Sequence, residues 1–169
     1  TCFEGYAFYC CNGLTSITIP SSVTSIGDYA FYGCRNMTSV TIPESLTNIG
    51  EGAFWSCYNL TSIYIPRSVS TIGDYAFNGC NGLEAVHISD LAAWCAINTS
   101  NTVGNPLYNA HHLYLNGEEV KDLVIPDGVT HIGDHAFWGC TGLTSVTFPN
   151  SVTSLGEGSF DSCSNLTSI

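Results

Sequence analysis

One spacing recurs along the chain and constrains its fold more than any other feature. Phenylalanines stand 23 residues apart in two series, and columns of aliphatic residues, cysteine, proline and glycine keep the same register. Such a period is the signature of a solenoid, because each unit can bury its apolar face only against its neighbours. The phenylalanines of this column are Phe8, Phe31, Phe54, Phe77, Phe137 and Phe160.

Each repeat contains a segment typical of a short strand, followed by a tight turn. Ile17 and Ile19 alternate with Thr18, which predicts two inward side chains and one outward side chain. The next residue is proline, which has no N–H to donate and therefore ends the ladder. The stretch from Gly27 to Phe31 is predicted to form one helical or 3₁₀ turn with its alanine and phenylalanine inward. Stacked repeats then give a parallel sheet on one face and short turns on the other.

Residues 89–119 interrupt the period, since Phe77 and Phe137 are 60 residues apart. Asp90 is placed to cap a short helix over the next five residues. The Asn116-Gly117 pair between alternating apolar residues predicts a β-hairpin. We expect this segment to protrude as a surface loop and hairpin, either as a specificity element or as a decorated repeat without a ligand.

The whole chain, residues 1–169, is interpreted as a single solenoid domain with an insertion at about 89–119. The chain begins and ends within a repeat, and solenoids need capping repeats at their ends. We therefore expect either a fragment of a longer protein or an end-to-end dimer.

The charge balance excludes several classes of partner. Three basic residues face fourteen acidic residues, which gives a formal net charge of −11. Nucleic acids and anionic membranes both require basic side chains, so neither is an expected partner. No apolar run is long enough to span a bilayer, so no membrane insertion is expected in this segment.

The outward strand positions form the default binding surface of a solenoid. Most of them hold small hydroxyl residues, such as Thr18 and Thr41, which also suit a generic solvated sheet face. Tyr64 and His87 occupy the same position in adjacent repeats and are the least generic pair. They are the predicted centre of any binding hot spot on this face.

A second candidate surface is an aromatic strip beside the phenylalanine column. Trp55 and Trp138 occupy one position of this strip, and tyrosines fill related positions. Repeated aromatic rings can stack on sugar rings or anchor a protein. The alternative, which we favour, is that the rings pack against neighbouring repeats.

The remaining reactive side chains indicate no catalytic or metal site. One column of cysteines is predicted to point inward as free thiols: Cys11, Cys34, Cys57, Cys80, Cys140 and Cys163. His131 and His135 are four residues apart but lie on a glycine-containing turn, so no metal is expected. No nucleophile and base stand apart from the repeat, so we expect neither an enzyme nor a cofactor.

The repeat unit resembles the BspA-like leucine-rich repeats. The resemblance is carried by Leu14, Ile17, Ile19, Pro20, Val23, Ile26, Gly27, Asp28, Ala30, Phe31 and Cys34, and by the copies of this pattern along the chain. It implies an α/β leucine-rich-repeat solenoid, a right-handed superhelix with one long irregular repeat. It further implies a non-catalytic, secreted or cell-surface module that binds proteins in adhesion to host or neighbouring cells. The alternatives are a structural spacer within a larger surface protein and glycan binding through the aromatic strip.

Overall fold

The computed structural model describes residues 1–99 and 101–169 as stacked coils joined by parallel strand pairing. The strands are β1 (Cys2–Phe3), β2 (Ser16–Thr18), β3 (Ser25–Ile26), β4 (Ser39–Thr41), β5 (Asn48–Ile49), β6 (Ser62–Ile65), β7 (Thr71–Ile72), β8 (Ala85–Ile88), β9 (Asn98–Thr99), β10 (Leu113–Leu115), β11 (Glu118–Glu119), β12 (Asp122–Val124), β13 (His131–Ile132), β14 (Ser145–Thr147) and β15 (Ser154–Leu155). Two short helices, α1 (Leu91–Cys95) and α2 (Leu107–Ala110), and a 3₁₀ turn, Thr102–Gly104, lie between β8 and β10.

Each regular coil contributes two strands, and equivalent residues of successive coils pair side by side. Five of the two-residue strands form a sheet in the order β1-β3-β5-β7-β9, and β13 and β15 form a separate pair. The longer strands form a second face, in which the order β11-β10-β8-β6 is flanked by the separate pairs β2-β4 and β12-β14. This pairing confirms the predicted solenoid with a parallel sheet.

The phenylalanine column forms the centre of the core. Phe31, Phe54 and Phe77 are fully buried, and adjacent rings of this series stack with centroids 5.3 Å apart. Phe137 and Phe160 stack in the same way at 5.0 Å. The alignment of these rings follows from the 23-residue spacing, as predicted.

The turn face differs from the prediction, because the stretch from Gly27 to Phe31 is not helical. Tyr29 has a φ of 55°, which lies in the left-handed region. The N–H of Phe31 donates to the Ala53 carbonyl of the next coil at 2.8 Å, while the N–H of Ala30 donates back to Gly27 at 3.2 Å. The N–H groups of this stretch therefore alternate, one donating to the next coil and the following one donating within its own coil. In an α-helical turn the Phe31 N–H would instead donate to the Gly27 carbonyl of its own coil.

The segment 89–119 does not protrude, contrary to our expectation, but completes a coil of the stack. It contains α1, capped by Asp90, whose carboxylate accepts the Ala93 N–H at 2.9 Å. The hairpin around Asn116 and Gly117 joins β10 to β11. β9 pairs with β7, and β10 pairs with β8, both in parallel. Apolar residues of the segment are buried in the common core, and they include Leu91, Trp94, Leu107 and Leu113.

Side chains of this coil donate hydrogen bonds to backbone carbonyls of the coils on either side. Trp94 Nε1 donates to the Ala136 carbonyl at 3.1 Å, and Asn105 Nδ2 donates to the His135 carbonyl at 2.8 Å. On the opposite side, Asn109 Nδ2 donates to the Phe77 carbonyl at 2.8 Å. These bonds satisfy buried carbonyls that face a coil without the regular pattern.

All cysteines of the column are free thiols, and all but the first member are buried. Cys57 Sγ donates to the Phe31 carbonyl at 3.2 Å, and Cys80 repeats this contact with Phe54 at 3.1 Å. Burial raises the pKa of the Cys80 thiol to about 12. The free, buried thiols confirm the prediction for this column, but Cys11 is exposed because it lies on the first coil of the described stack.

Candidate binding face

The outer face of β6, β8 and β10 carries three ring side chains in one row. Tyr64 and His87 are register partners, and His87 is the register partner of Tyr114. The His87 and Tyr114 ring centroids are 4.9 Å apart. All three side chains are partly exposed while their strand neighbours Ile63 and Val86 are buried. We call Tyr64, His87 and Tyr114 the aromatic row.

The repeat spacing predicts that Tyr64 and His87 are neighbours, but it does not predict that Tyr114 lies beside them. A signal was present, because the Leu113-Tyr114-Leu115 alternation matches the alternation around His87. The match was not used, because a protruding segment would not place Tyr114 on the sheet. Only when the segment forms a coil does Tyr114 come to the same face.

Tyr64 is held in place by polar contacts at its hydroxyl. The hydroxyl donates to Glu44 Oε1 at 2.7 Å and lies 3.0 Å from Ser89 Oγ. Burial raises the pKa of the Tyr64 hydroxyl, and the hydrogen bond to Glu44 adds to the rise, so the group is neutral at physiological pH. A tyrosine fixed in this way presents its ring with little loss of conformational entropy on binding.

Thr18 and Thr41 occupy the equivalent outward position of the preceding coils. They are register partners on the pair β2-β4, and both are exposed. They continue the face as a strip of small hydroxyl groups next to the aromatic row. Nothing else distinguishes them from a solvated sheet face.

Trp55 and Trp138 lie on the turn face and belong to different clusters. Trp55 stacks on Tyr75 with centroids 5.3 Å apart and meets Tyr32 edge to face at 5.6 Å. Trp138 stacks on Tyr108 at 5.0 Å. These contacts cover ring faces that a sugar would use, and they match the packing interpretation of the strip.

Across residues 1–99 and 101–169, no group of three His, Cys, Asp or Glu side chains is placed to hold a metal ion. The helices found in those ranges are all too short or too polar to cross a bilayer.

The stacked coils and the open outer face define a class of protein, the repeat solenoid, whose extended surfaces serve as scaffolds for binding proteins. A sequence profile of the BspA type leucine rich repeat region matches six copies within residues 1–99 and 110–169. The chain therefore belongs to the BspA-type leucine-rich repeat family. Members of such repeat families act in general as binding scaffolds and not as enzymes.

The T. pallidum structure shows the same fold, and two further solved structures are similar to the chain at lower TM-scores. The T. pallidum leucine rich repeat protein TpLRR is 30% identical, with a TM-score of 0.52, and the match covers 99% of this chain and 61% of that chain. A leucine rich cell surface protein of Faecalibacterium prausnitzii is 22% identical, with a TM-score of 0.40 and coverage of 98% and 62%. The pneumococcal vaccine antigen PcpA is 17% identical, with a TM-score of 0.43 and coverage of 90% and 49%. A comparison with curated proteins finds no match.

This chain thus spans 61% of the length of TpLRR.

Proposed function

We propose that this chain is a non-catalytic adhesion module, secreted or displayed at the cell surface, that binds a protein partner through the outer sheet face. The observation that carries the proposal is the aromatic row, in which Tyr64, His87 and Tyr114 interrupt a face of small hydroxyl residues. The family resemblance supports the adhesive role and the extracellular location.

The aromatic row has the properties of an interface hot spot. Tyrosine is enriched at such sites because it offers a large contact area with few rotatable bonds. The contact between the Tyr64 hydroxyl and Glu44 fixes one ring before a partner arrives. Thr41 and Thr18 extend the same face and would form the polar rim.

The charge of the chain narrows the class of partner. With a net charge of −11, the module repels other strongly acidic proteins and attracts basic ones. The proposed partner is therefore a neutral or basic protein of the host or of a neighbouring cell.

The proposal is tested by screening the purified chain against an array of extracellular matrix proteins and then measuring affinity for each hit by surface plasmon resonance. Tyr64→Ala and Tyr114→Ala should each weaken binding by about tenfold or more, the loss expected for a hot-spot residue. Thr147→Ala is the matched control, because Thr147 occupies the same outward position on β14, away from the row. The control should bind like the wild-type chain.

Two outcomes would contradict the proposal. Hits whose affinity is unchanged by both tyrosine variants would place the site elsewhere, and a screen without any hit would favour a structural spacer. Glycan binding through the aromatic strip stays a separate prediction, checked on a glycan array with Trp55→Ala and Trp138→Ala.

A further inference from the structure

The sheet on the outer face is split at the point where the irregular coil meets the next regular coil. β11 folds back on β10 as an antiparallel neighbour and covers the edge that β10 would offer to the following strand. β12 pairs with β14 on one side. In the portion of the chain that the structure describes, no strand pairs with β12 on its other side.

The hydrogen bonds of β12 show which backbone groups face the split. The Lys121 carbonyl accepts the Thr144 N–H at 2.8 Å, and the Ile125 N–H donates to the Thr147 carbonyl at 3.0 Å, so these positions face β14. In a parallel strand the intervening positions point to the opposite side. The N–H and C=O groups of Asp122 and Val124 are therefore directed into the split, without a backbone partner among residues 1–99 and 101–169.

A cleft of about 410 Å³ lies along this edge. Leu115, Val120 and Val124 supply apolar walls, and Val124 is 63% exposed. Such an exposed apolar strand edge is a ready template for pairing with another chain.

The rim of the cleft is acidic. Glu118 and Asp122 are exposed, and no basic side chain pairs with either of them among residues 1–99 and 101–169. Asp122 Oδ1 accepts hydrogen bonds from Ser145 Oγ at 2.6 Å and Thr144 Oγ1 at 3.2 Å, which leave its charge unneutralised. The carboxylate of Glu119, in contrast, is engaged by His112 at 2.7 Å and by Lys121 at 3.6 Å. Those two contacts lower the pKa of Glu119, the hydrogen bond from His112 having the larger effect. The unmatched carboxylates favour a strand that carries lysine or arginine, and a second copy of this chain, with a net charge of −11, is disfavoured.

We propose that the free edge of β12 is a β-augmentation site, which accepts an extended basic segment of a partner protein as an added strand. Main-chain hydrogen bonds to Asp122 and Val124 supply the affinity, and alternate apolar side chains of the segment enter the cleft. This site is distinct from the aromatic row, so the two proposals can fail separately.

The test uses the isotopically labelled chain and an alternating Lys-Val octapeptide as the probe. Peptide binding should slow hydrogen exchange of the Asp122 and Val124 amides by about tenfold or more, because both amides gain a hydrogen bond. An alternating Glu-Val octapeptide is the charge control and should leave both amides unprotected. Equal protection by both peptides, binding of the Lys-Val peptide without protection of these amides, or no binding would each overturn the proposal.

Two variants locate the site. Val124→Lys should lower the affinity for the Lys-Val peptide by about fivefold, because the two sets of positive charges repel each other at the edge. Thr147→Lys adds the same charge at the register partner of Val124, on the far side of β12, and should change affinity less than about twofold. Tyr64→Ala should leave peptide binding unchanged, which separates this site from the aromatic row. Equal loss from the two lysine variants would contradict the assignment to the β12 edge.

Discussion

Removal of the Phe54 ring is the perturbation that probes the core most directly. Phe54 is fully buried, and its ring is stacked on both sides, against Phe31 and Phe77 at 5.3 Å each. Phenylalanine-to-alanine changes in cores cost about 3–5 kcal/mol, and two stacked faces place this site in the upper part of that range. We expect Phe54→Ala to lower the free energy of unfolding by about 4–5 kcal/mol.

The assay is urea unfolding followed by circular dichroism, with linear extrapolation to water. A double-mutant cycle tests the stacking itself. Phe31→Leu and Phe54→Leu keep apolar bulk, and their double variant should show a coupling energy of about 0.5–1.5 kcal/mol. In the control cycle, Phe31→Leu and Phe137→Leu, the changes in unfolding free energy should add within about 0.5 kcal/mol. A cost below about 1 kcal/mol for Phe54→Ala, or the same coupling in both cycles, would refute the stacked column.

Two further predictions concern the buried thiols and the close approach of coils. Because burial raises the pKa of Cys80 from 9.0 to about 12, the thiol stays neutral in the folded state while the unfolded chain ionises, so stability is lost as pH rises from 9.0 toward 12. Urea unfolding across this range should show that the free energy of unfolding falls with pH, and Cys80→Ala should make that fall shallower by about 1.4 kcal/mol per pH unit. If the pH dependence is the same in Cys80→Ala and in the wild-type chain, the buried, protonated thiol is contradicted. A Cβ at Gly50 would lie 2.8 Å from the Asp28 backbone nitrogen, so Gly50→Ala should cost about 1–3 kcal/mol, measured as a loss of unfolding free energy. Gly13→Ala, where a Cβ meets nothing within 4 Å, is the matched control, and an equal effect of the two changes would argue against coil contact at Gly50.

The regular coils were predictable from the sequence because their columns repeat a physical requirement. Ile17 and its copies must be inward for each coil to bury its neighbour, and the parallel register follows from the constant spacing. The outward positions, including Tyr64 and His87, follow from strand alternation. The inward positions, the outward positions and the register can therefore be derived from the stacking of coils alone.

The turn face was less predictable, because the apolar pattern from Gly27 to Phe31 fits both a helical turn and a series of tight turns. The left-handed conformation of Tyr29 decides between them, and it is stabilised by bonds to the next coil that local sequence does not reveal. Tyrosine is not a residue that signals a positive φ.

The irregular coil was hardest to predict, since no second copy exists within the chain for comparison. Its closure depends on Trp94, Asn105 and Asn109, which reach carbonyls on the coils before and after it. Polar side chains in a segment without period favour a surface loop when the sequence is considered alone. The structure buries Asn105 completely instead.

The claim on which the proposed binding face depends is that segment 89–119 forms a coil and brings Tyr114 beside His87. Nuclear Overhauser spectroscopy of the chain in solution tests it directly, because the two ring centroids are 4.9 Å apart. We predict cross-peaks between the ring protons of His87 and Tyr114, together with slow exchange of the amides of β10, which is paired on both sides. Absence of those cross-peaks with rapid exchange throughout β10 would show that the segment leaves the stack, and would contradict the account.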